Sequence, residues 1–251
     1  MHSSWLTRHT SPGRPHRRLI CFPHAGGAAS FYRGWQRYAG PESELLAVQY
    51  PGRENRLREP LVPAMEQLVA ALTAELSALP PLPTVLFGHS MGAAVAYETL
   101  LRLERAGTTH ITRLCVSGRA PDDASRTTVR TDDEVVEAVT SLGGTNAAVF
   151  EDPDLRDLFL PIIRNDYRLI DTYRRDPDAP LLRADVHALT GSCDPRVTPE
   201  QALGWRATTA GSFALSVFEG DHFYLVPAAE QVARTVMAPA TSLPVRTSLP
   251  V

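Results

Sequence analysis

The sequence predicts an α/β fold: a mostly parallel central sheet flanked by helices, with one inserted helical lid. Three observations lead there. Short apolar runs alternate with stretches of helical spacing along most of the chain. A G-x-S-x-G pentapeptide, Gly88-His89-Ser90-Met91-Gly92, joins one such run to one such helix. From Pro121 to Leu182 the alternation stops, and helical patterns follow one another with no clear strand.

In order, Leu19-Ile20-Cys21-Phe22 reads as a strand ended by Pro23, and residues 45–50 as a second, ended by Pro51-Gly52. Met65, Leu68, Val69, Leu72, Leu76 and Leu79 recur at helical spacing. Strand 84–88, the pentapeptide, a helix over 93–103 and strand 111–116 come next. After the insertion come strand 185–190, a helix over about 199–207, strand 213–218 and a helix over about 227–236. Parallel strands joined by helices give a sheet covered on both faces, with ligands outside the carboxyl ends of the strands.

The insertion spans about 122–182. One apolar face holds Val135, Val136, Val139 and Leu142; further faces hold Leu155, Leu158, Phe159, Ile162 and Ile163, then Leu169, Ile170 and Tyr173. Helices inserted at the ligand edge read as a lid whose inner face lines an apolar pocket, and most of these stripes are helix core. Residues 1–18 read as a polar tail before a domain over 19–238. The repeat Thr241-Ser242-Leu243-Pro244-Val245 and Thr247-Ser248-Leu249-Pro250-Val251 marks 239–251 as a tail expected to be disordered.

Composition narrows the function class. A chain of 251 residues, 43 % hydrophobic, can bury one large core. A net charge of −3 gives no reason to expect nucleic acid. No run approaches the ~18 apolar residues of a membrane span, and the arginine-rich N-terminus lacks the apolar stretch of a secretory signal. Cys21, Cys115 and Cys193 follow no pairing or metal motif, which suits a reducing cytoplasm and no metal site.

The chemistry begins at Ser90. A serine at the apex of a sharp strand-to-helix turn stands clear of the sheet, and glycines two positions either side remove the collisions such a turn causes. The helix that starts there offers N–H groups and a positive dipole end to a developing oxyanion. Such a nucleophile needs a base and an orienting acid, in the chain order Ser, Asp/Glu, His. Of the 8 histidines, His222 in Gly220-Asp221-His222-Phe223 lies just past the last strand, where a loop can carry imidazole over Ser90. His24, in a loop near the site, is its one serious rival; the side chain of His89 should point away from the serine. Asp194, in Gly191-Ser192-Cys193-Asp194-Pro195, is the expected acid. Asp221 adjoins His222 too closely, Asp185 begins its strand at the wrong end, and a turn aspartate bonding its own backbone is the bland alternative for Asp194. The backbone N–H groups of Ala25 and Met91 are the expected oxyanion hole. The loop Tyr50-Pro51-Gly52-Arg53-Glu54-Asn55-Arg56 reads, as bare physics, as a turn with a surface ion pair.

Together these loops resemble one family. Pro23-His24-Ala25-Gly26-Gly27, Pro51-Gly52-Arg53-Glu54, the serine pentapeptide, the turn from Gly191 to Asp194 and Gly220-Asp221-His222-Phe223 are similar to the motifs of type II thioesterases. These are the free-standing editing hydrolases of modular polyketide and nonribosomal peptide synthases. The resemblance covers nearly the whole chain apart from the tails. It implies an α/β-hydrolase fold with a helical lid, and hydrolysis of acyl groups from the phosphopantetheine arms of acyl or peptidyl carrier proteins. It also implies the same catalytic residues, Ser90, Asp194 and His222, with no cofactor beyond the arm the substrate carries.

A carrier partner is generally acidic, and Arg53, Arg56, Arg58, Arg174 and Arg175 could form a basic rim, although a solvated arginine face accounts for them more simply. A monomer is the expectation. An oxyester hydrolase or lipase, or an acyltransferase in which an alcohol or amine replaces water, would use the same triad.

Overall fold

The computed structural model describes residues 4–10, 13–123, 130–142 and 150–238. A sheet of seven strands runs in the order β1-β3-β2-β4-β5-β6-β7. The strands are β1 (Leu6–Arg8), β2 (Arg17–Phe22), β3 (Ser43–Val48), β4 (Thr84–His89), β5 (Ile111–Ser117), β6 (Asp185–Gly191) and β7 (Phe213–Phe218). All neighbours pair in parallel except β1, which lies antiparallel on β3 with Leu6 opposite Val48.

That strand corrects the reading of residues 1–18 as a polar tail. Leu6–Arg8 is a three-residue strand, and β2 already begins at Arg17. Trp5 and Leu6 pack against the core, and Arg8 bonds Glu44. So short and charged an edge strand suits a sheet margin and leaves little periodic signal. The tail expected over 239–251 lies outside the described residues.

Alternation along the strands divides the core in two. Ile20, Phe22, Leu46, Val48, Leu86, Leu114 and Val116 face helices α1 (Met65–Ser77) and α2 (Met91–Arg105). Leu19, Cys21, Leu45, Ala47, Phe87 and Cys115 face the other side, against α6 (Ala229–Met237) and Tyr32 and Trp35 of a 3₁₀ segment, Ala29–Arg37. Period-two residues thus serve two helical layers, as buried parallel sheets require. The helix expected over 199–207 is a short α5 (Pro199–Ala202), opened by a Thr198–Gln201 capping box, that continues as the 3₁₀ turn Leu203–Thr208.

Within the described part of the insertion lie two helices, α3 (Asp132–Ser141) and α4 (Pro153–Thr172). A Thr131–Glu134 capping box opens α3 and the Asp152 side chain caps α4. The two apolar faces read over 155–163 and 169–173 belong largely to this one 20-residue helix, despite Pro161 within it. Val135, Val139, Leu160, Ile163 and Tyr167 make a small core of their own, and Ala25 packs against it. No helix among the described residues is long and apolar enough to cross a membrane.

Candidate active site

The strand registers align the loops that matter. Phe22 pairs with Gly88, His89 with Ser117, Ser117 with Leu189, and Gly191 with Phe218. The chain therefore leaves β2, β4, β5, β6 and β7 along one carboxyl edge. The loops after them carry His24–Gly27, Ser90, Gly118, Asp194 and His222 respectively.

Ser90 has φ 53° and ψ −114°, a left-handed backbone that L-residues rarely adopt. The glycines explain how the turn closes. A Cβ on Gly88 would strike the backbone of Gly92, and one on Gly92 would strike the carbonyls of Phe22 and Pro23. The Ser90 N–H donates to the Ser117 carbonyl at 2.8 Å, which ties the turn to β5. Ser90 also occupies the N-cap position of α2, yet its side chain makes no cap bond. Serine at that position ordinarily spends its oxygen on the helix. Here no cap bond takes up the hydroxyl, and the residue is half-buried.

Asp194 and His222 meet. The imidazole Nδ1 lies 2.9 and 3.1 Å from the two carboxylate oxygens. A carboxylate only accepts, so Nδ1 carries a proton and donates in this pair. Backbone bonds hold the two loops together: Ser192 N–H donates to the Phe218 carbonyl at 2.7 Å, and Cys193 N–H to that of Gly220 at 2.9 Å. Gly191 has no room for a side chain because the Asp221 carbonyl fills its Cβ position. Asp194 also accepts the Arg196 N–H at 2.8 Å, so the local turn bond and the long-range bond coexist. The rejected acids are engaged elsewhere, Asp221 with Phe223 N–H and Asp185 with Ser212 N–H.

The histidines form a cluster. The His89 ring lies 4.8 Å from that of His222 and 6.0 Å from that of His24. The His89 ring thus lies against that of His222, and its Nδ1 is 2.9 Å from Ser117 Oγ, which is 2.6 Å from the Tyr224 hydroxyl. His24 sits edge-on between Phe31 and Phe223, and among the described residues its Nδ1 has no hydrogen-bond partner. Burial, then the neighbouring His222 and Arg53, lower its pKa to about 3, so it stays neutral. His89 is lowered too, by burial first and then by His222 and His24. Both rings lie close to that of His222.

Two expected donors remain open. Along the loop after β2, Gly26 N–H donates to Asp166 Oδ2 at 2.8 Å, Gly27 N–H to the His24 carbonyl at 2.9 Å and Ala29 N–H to Gln49 Oε1 at 2.7 Å. Among the described residues, Ala25 N–H has no such partner. Met91 is the first residue of α2, where no intrahelical acceptor exists.

The structure removes two of the five arginines from the basic rim. Arg53 and Arg56 are 5 % and 4 % exposed. Arg53 is paired with Asp166, and Arg56 bonds Glu59 at 2.5 Å and stacks 4.1 Å from the Trp5 ring centre. The turn they belong to holds a buried ion pair where a surface one was expected. Asp166 escaped the sequence reading, though a signal existed. It shares one face of α4 with Ile162, Ile163, Leu169 and Ile170, and a carboxylate inside an apolar stripe demands a partner.

The thioesterase domain family matches residues 17–239. A probable cadicidin biosynthesis thioesterase of Streptomyces griseus is 44 % identical over 223 residues, covering 88 % of this chain and 62 % of its own. Phenyloxazoline synthase MbtB of Mycobacterium tuberculosis is 37 % identical over 238 residues, 93 % of this chain but 17 % of that one. The chain thus spans less than two thirds of either relative. The solved type II thioesterase BorB of the borrelidin cluster superposes with a TM-score of 0.83 at 40 % identity, covering 94 % of this chain and 98 % of its own.

Proposed function

Because the chain belongs to the thioesterase domain family, we propose that it hydrolyses acyl thioesters through Ser90, His222 and Asp194. The bond from His222 Nδ1 to Asp194 at 2.9 Å, beside a serine turn with φ 53°, carries this reading. His222 Nε2 takes the Ser90 proton as Oγ attacks the thioester carbonyl. The N–H groups of Ala25 and Met91 receive the oxyanion, each such donor being worth ~10²–10³ in turnover. The C–S bond breaks, and the departing sulfur takes the proton from His222. A thiol with pKa near ~8.5 needs less help than an alcohol or amine. Water then gives a proton to His222 and its oxygen attacks the acyl-serine carbonyl. The C–Oγ bond breaks, Ser90 recovers the proton, and a free acid leaves.

The substrate is an acyl group on the phosphopantetheine arm of an acyl or peptidyl carrier protein, and the role is removal of stalled or misprimed units from a polyketide or nonribosomal peptide synthase. Likeness to a thioesterase of cadicidin biosynthesis and to BorB supports that class. Carrier-bound short-chain thioester, offered to wild type and Ser90→Ala beside a matched oxyester, tests it. Serine-dependent release of acid from the thioester is the expected result; turnover of the oxyester alone would instead mark a general esterase.

A further inference from the structure

The loop expected to hold the oxyanion is gripped at three points around its free donor. The Tyr50 hydroxyl donates to the Pro23 carbonyl at 3.3 Å, and Gln49 Oε1 accepts from Ala29 N–H at 2.7 Å. Both come from the end of β3. The third grip comes from the lid, where Asp166 of α4 accepts the Gly26 N–H at 2.8 Å. Ala25, whose N–H is open, lies between the first and third grips, and its side chain touches the lid core.

Asp166 is 2 % exposed, and a carboxylate buried that deeply beside an oxyanion site would oppose the charge forming there. Arg53 neutralises it. The Arg53 guanidinium pairs with Asp166 Oδ2, donates to the Pro51 carbonyl at 2.8 Å and lies 5.2 Å from the Tyr50 ring centre. The Arg53 carbonyl in turn accepts from Gln49 Nε2 at 3.1 Å. One connected set of bonds therefore joins lid helix α4, the turn after β3 and the loop after β2.

We propose that Asp166, held by Arg53, is a positioning residue that fixes the Ala25–Gly26 backbone for oxyanion binding, so that the seating of lid helix α4 governs the chemical step. This rests on reading the Ala25 N–H as an oxyanion donor. A packed lid displaced by the acyl chain would move Asp166, and with it the peptide beside the donor. A misplacement of about 1 Å at a reacting centre can cost ~10²-fold in rate. The effect belongs to the transition state, because the ground-state carbonyl leans far less on that donor.

The test compares full-length wild type, Asp166→Ala and Asp166→Asn, with folded sites counted by fluorophosphonate titration of the serine. Three quantities are read: kcat and KM on a short-chain acyl carrier protein, affinity for an alkyl boronic acid whose serine adduct places an oxygen in the oxyanion site, and affinity for an uncleavable acyl-pantetheine amide. Asp166→Ala should lower kcat by about 10–100-fold with KM little changed. Boronate affinity should fall in parallel while amide affinity holds. Asp166→Asn keeps an acceptor for Gly26 N–H and should recover most of the loss. Unchanged kcat, boronate and amide affinities falling together, or no recovery with asparagine would each overturn the proposal. If the alanine variant does not fold, Asp166→Leu, with the same number of side-chain heavy atoms and no acceptor, takes its place under the same criteria. Wild type inert toward the thioester would instead defeat the thioesterase reading itself.

Discussion

His222 and Asp194 bond at 2.9 Å across 28 residues of chain, each from the loop that ends its own strand. Both are buried, and the backbone bonds between their loops fix the approach before either side chain is placed. The sheet thus determines which nitrogen of His222 faces Asp194.

Asp194→Asn tests that determination. Asparagine can fill the same space but can donate to Nδ1, which favours the tautomer with its proton on Nε2. Thioester turnover should fall about 10⁴-fold. Thermal unfolding should stay within a few degrees of wild type. A loss under about tenfold would mean that Asp194 does not orient the base.

The serine turn should tolerate no side chain at Gly92. Gly92→Ala drives a methyl into the Phe22 and Pro23 carbonyls, so both turnover and melting temperature should drop. Gly34→Ala is the control. It lies in the 3₁₀ segment with nothing within 4 Å of its Cβ position, and should be neutral or slightly stabilising. Equal effects at the two positions would contradict this packing.

Stability should depend on pH through three buried histidines. Burial, with a smaller push from Arg113, lowers His187 to about 4; His24 is lowered to about 3, and His89 is lowered as well. Unfolded histidine titrates near ~6.5. Below that pH the unfolded chain binds protons the native one refuses. The contribution is therefore complete above about pH 6.5 and is lost as pH falls toward the folded values. Urea titrations of wild type and His187→Asn across this window should show the shallower slope in the variant, whatever its absolute stability. Identical slopes would rule His187 out as a source of the dependence.

At the sheet margin, Glu44 pairs at 2.5 Å with Arg18, both about 3 % exposed, and also with the half-exposed Arg8. Glu44→Ala leaves Arg18 buried and unpaired and should cost about 3–5 kcal/mol by denaturant unfolding. Arg8→Ala should cost about 1 kcal/mol or less. The reverse ranking would show that the exposed pair carries the edge.

The serine turn and the two loops that meet at His222 were legible because each has a local cause. An apolar strand, a Gly-bounded turn and a helical stripe sit next to one another in sequence. The strand β1 was not legible, since Leu6–Arg8 is too short for alternation to register. The fate of Arg53 and Arg56 was hidden for another reason. Arginine in a Pro-Gly turn reads as solvated until a second element covers it, and here Asp166 arrives from 113 residues away. The neighbours of the His89 ring were not legible either, because the side chain before Ser90 was judged from the turn alone. The ring of His222 and the Ser117–Tyr224 hydroxyl pair that receive it come from β5 and from the loop after β7.

The most direct measurement is mass spectrometry of the intact chain quenched during turnover of an acyl carrier protein thioester, with acid release followed alongside. Serine thioester hydrolysis predicts an adduct of the acyl mass, mapped to Ser90 and absent from Ser90→Ala, and almost no acid from that variant; losing the nucleophile of a triad costs ~10⁶-fold. Substantial acid release by purified Ser90→Ala, or an acyl adduct on another residue, would contradict it.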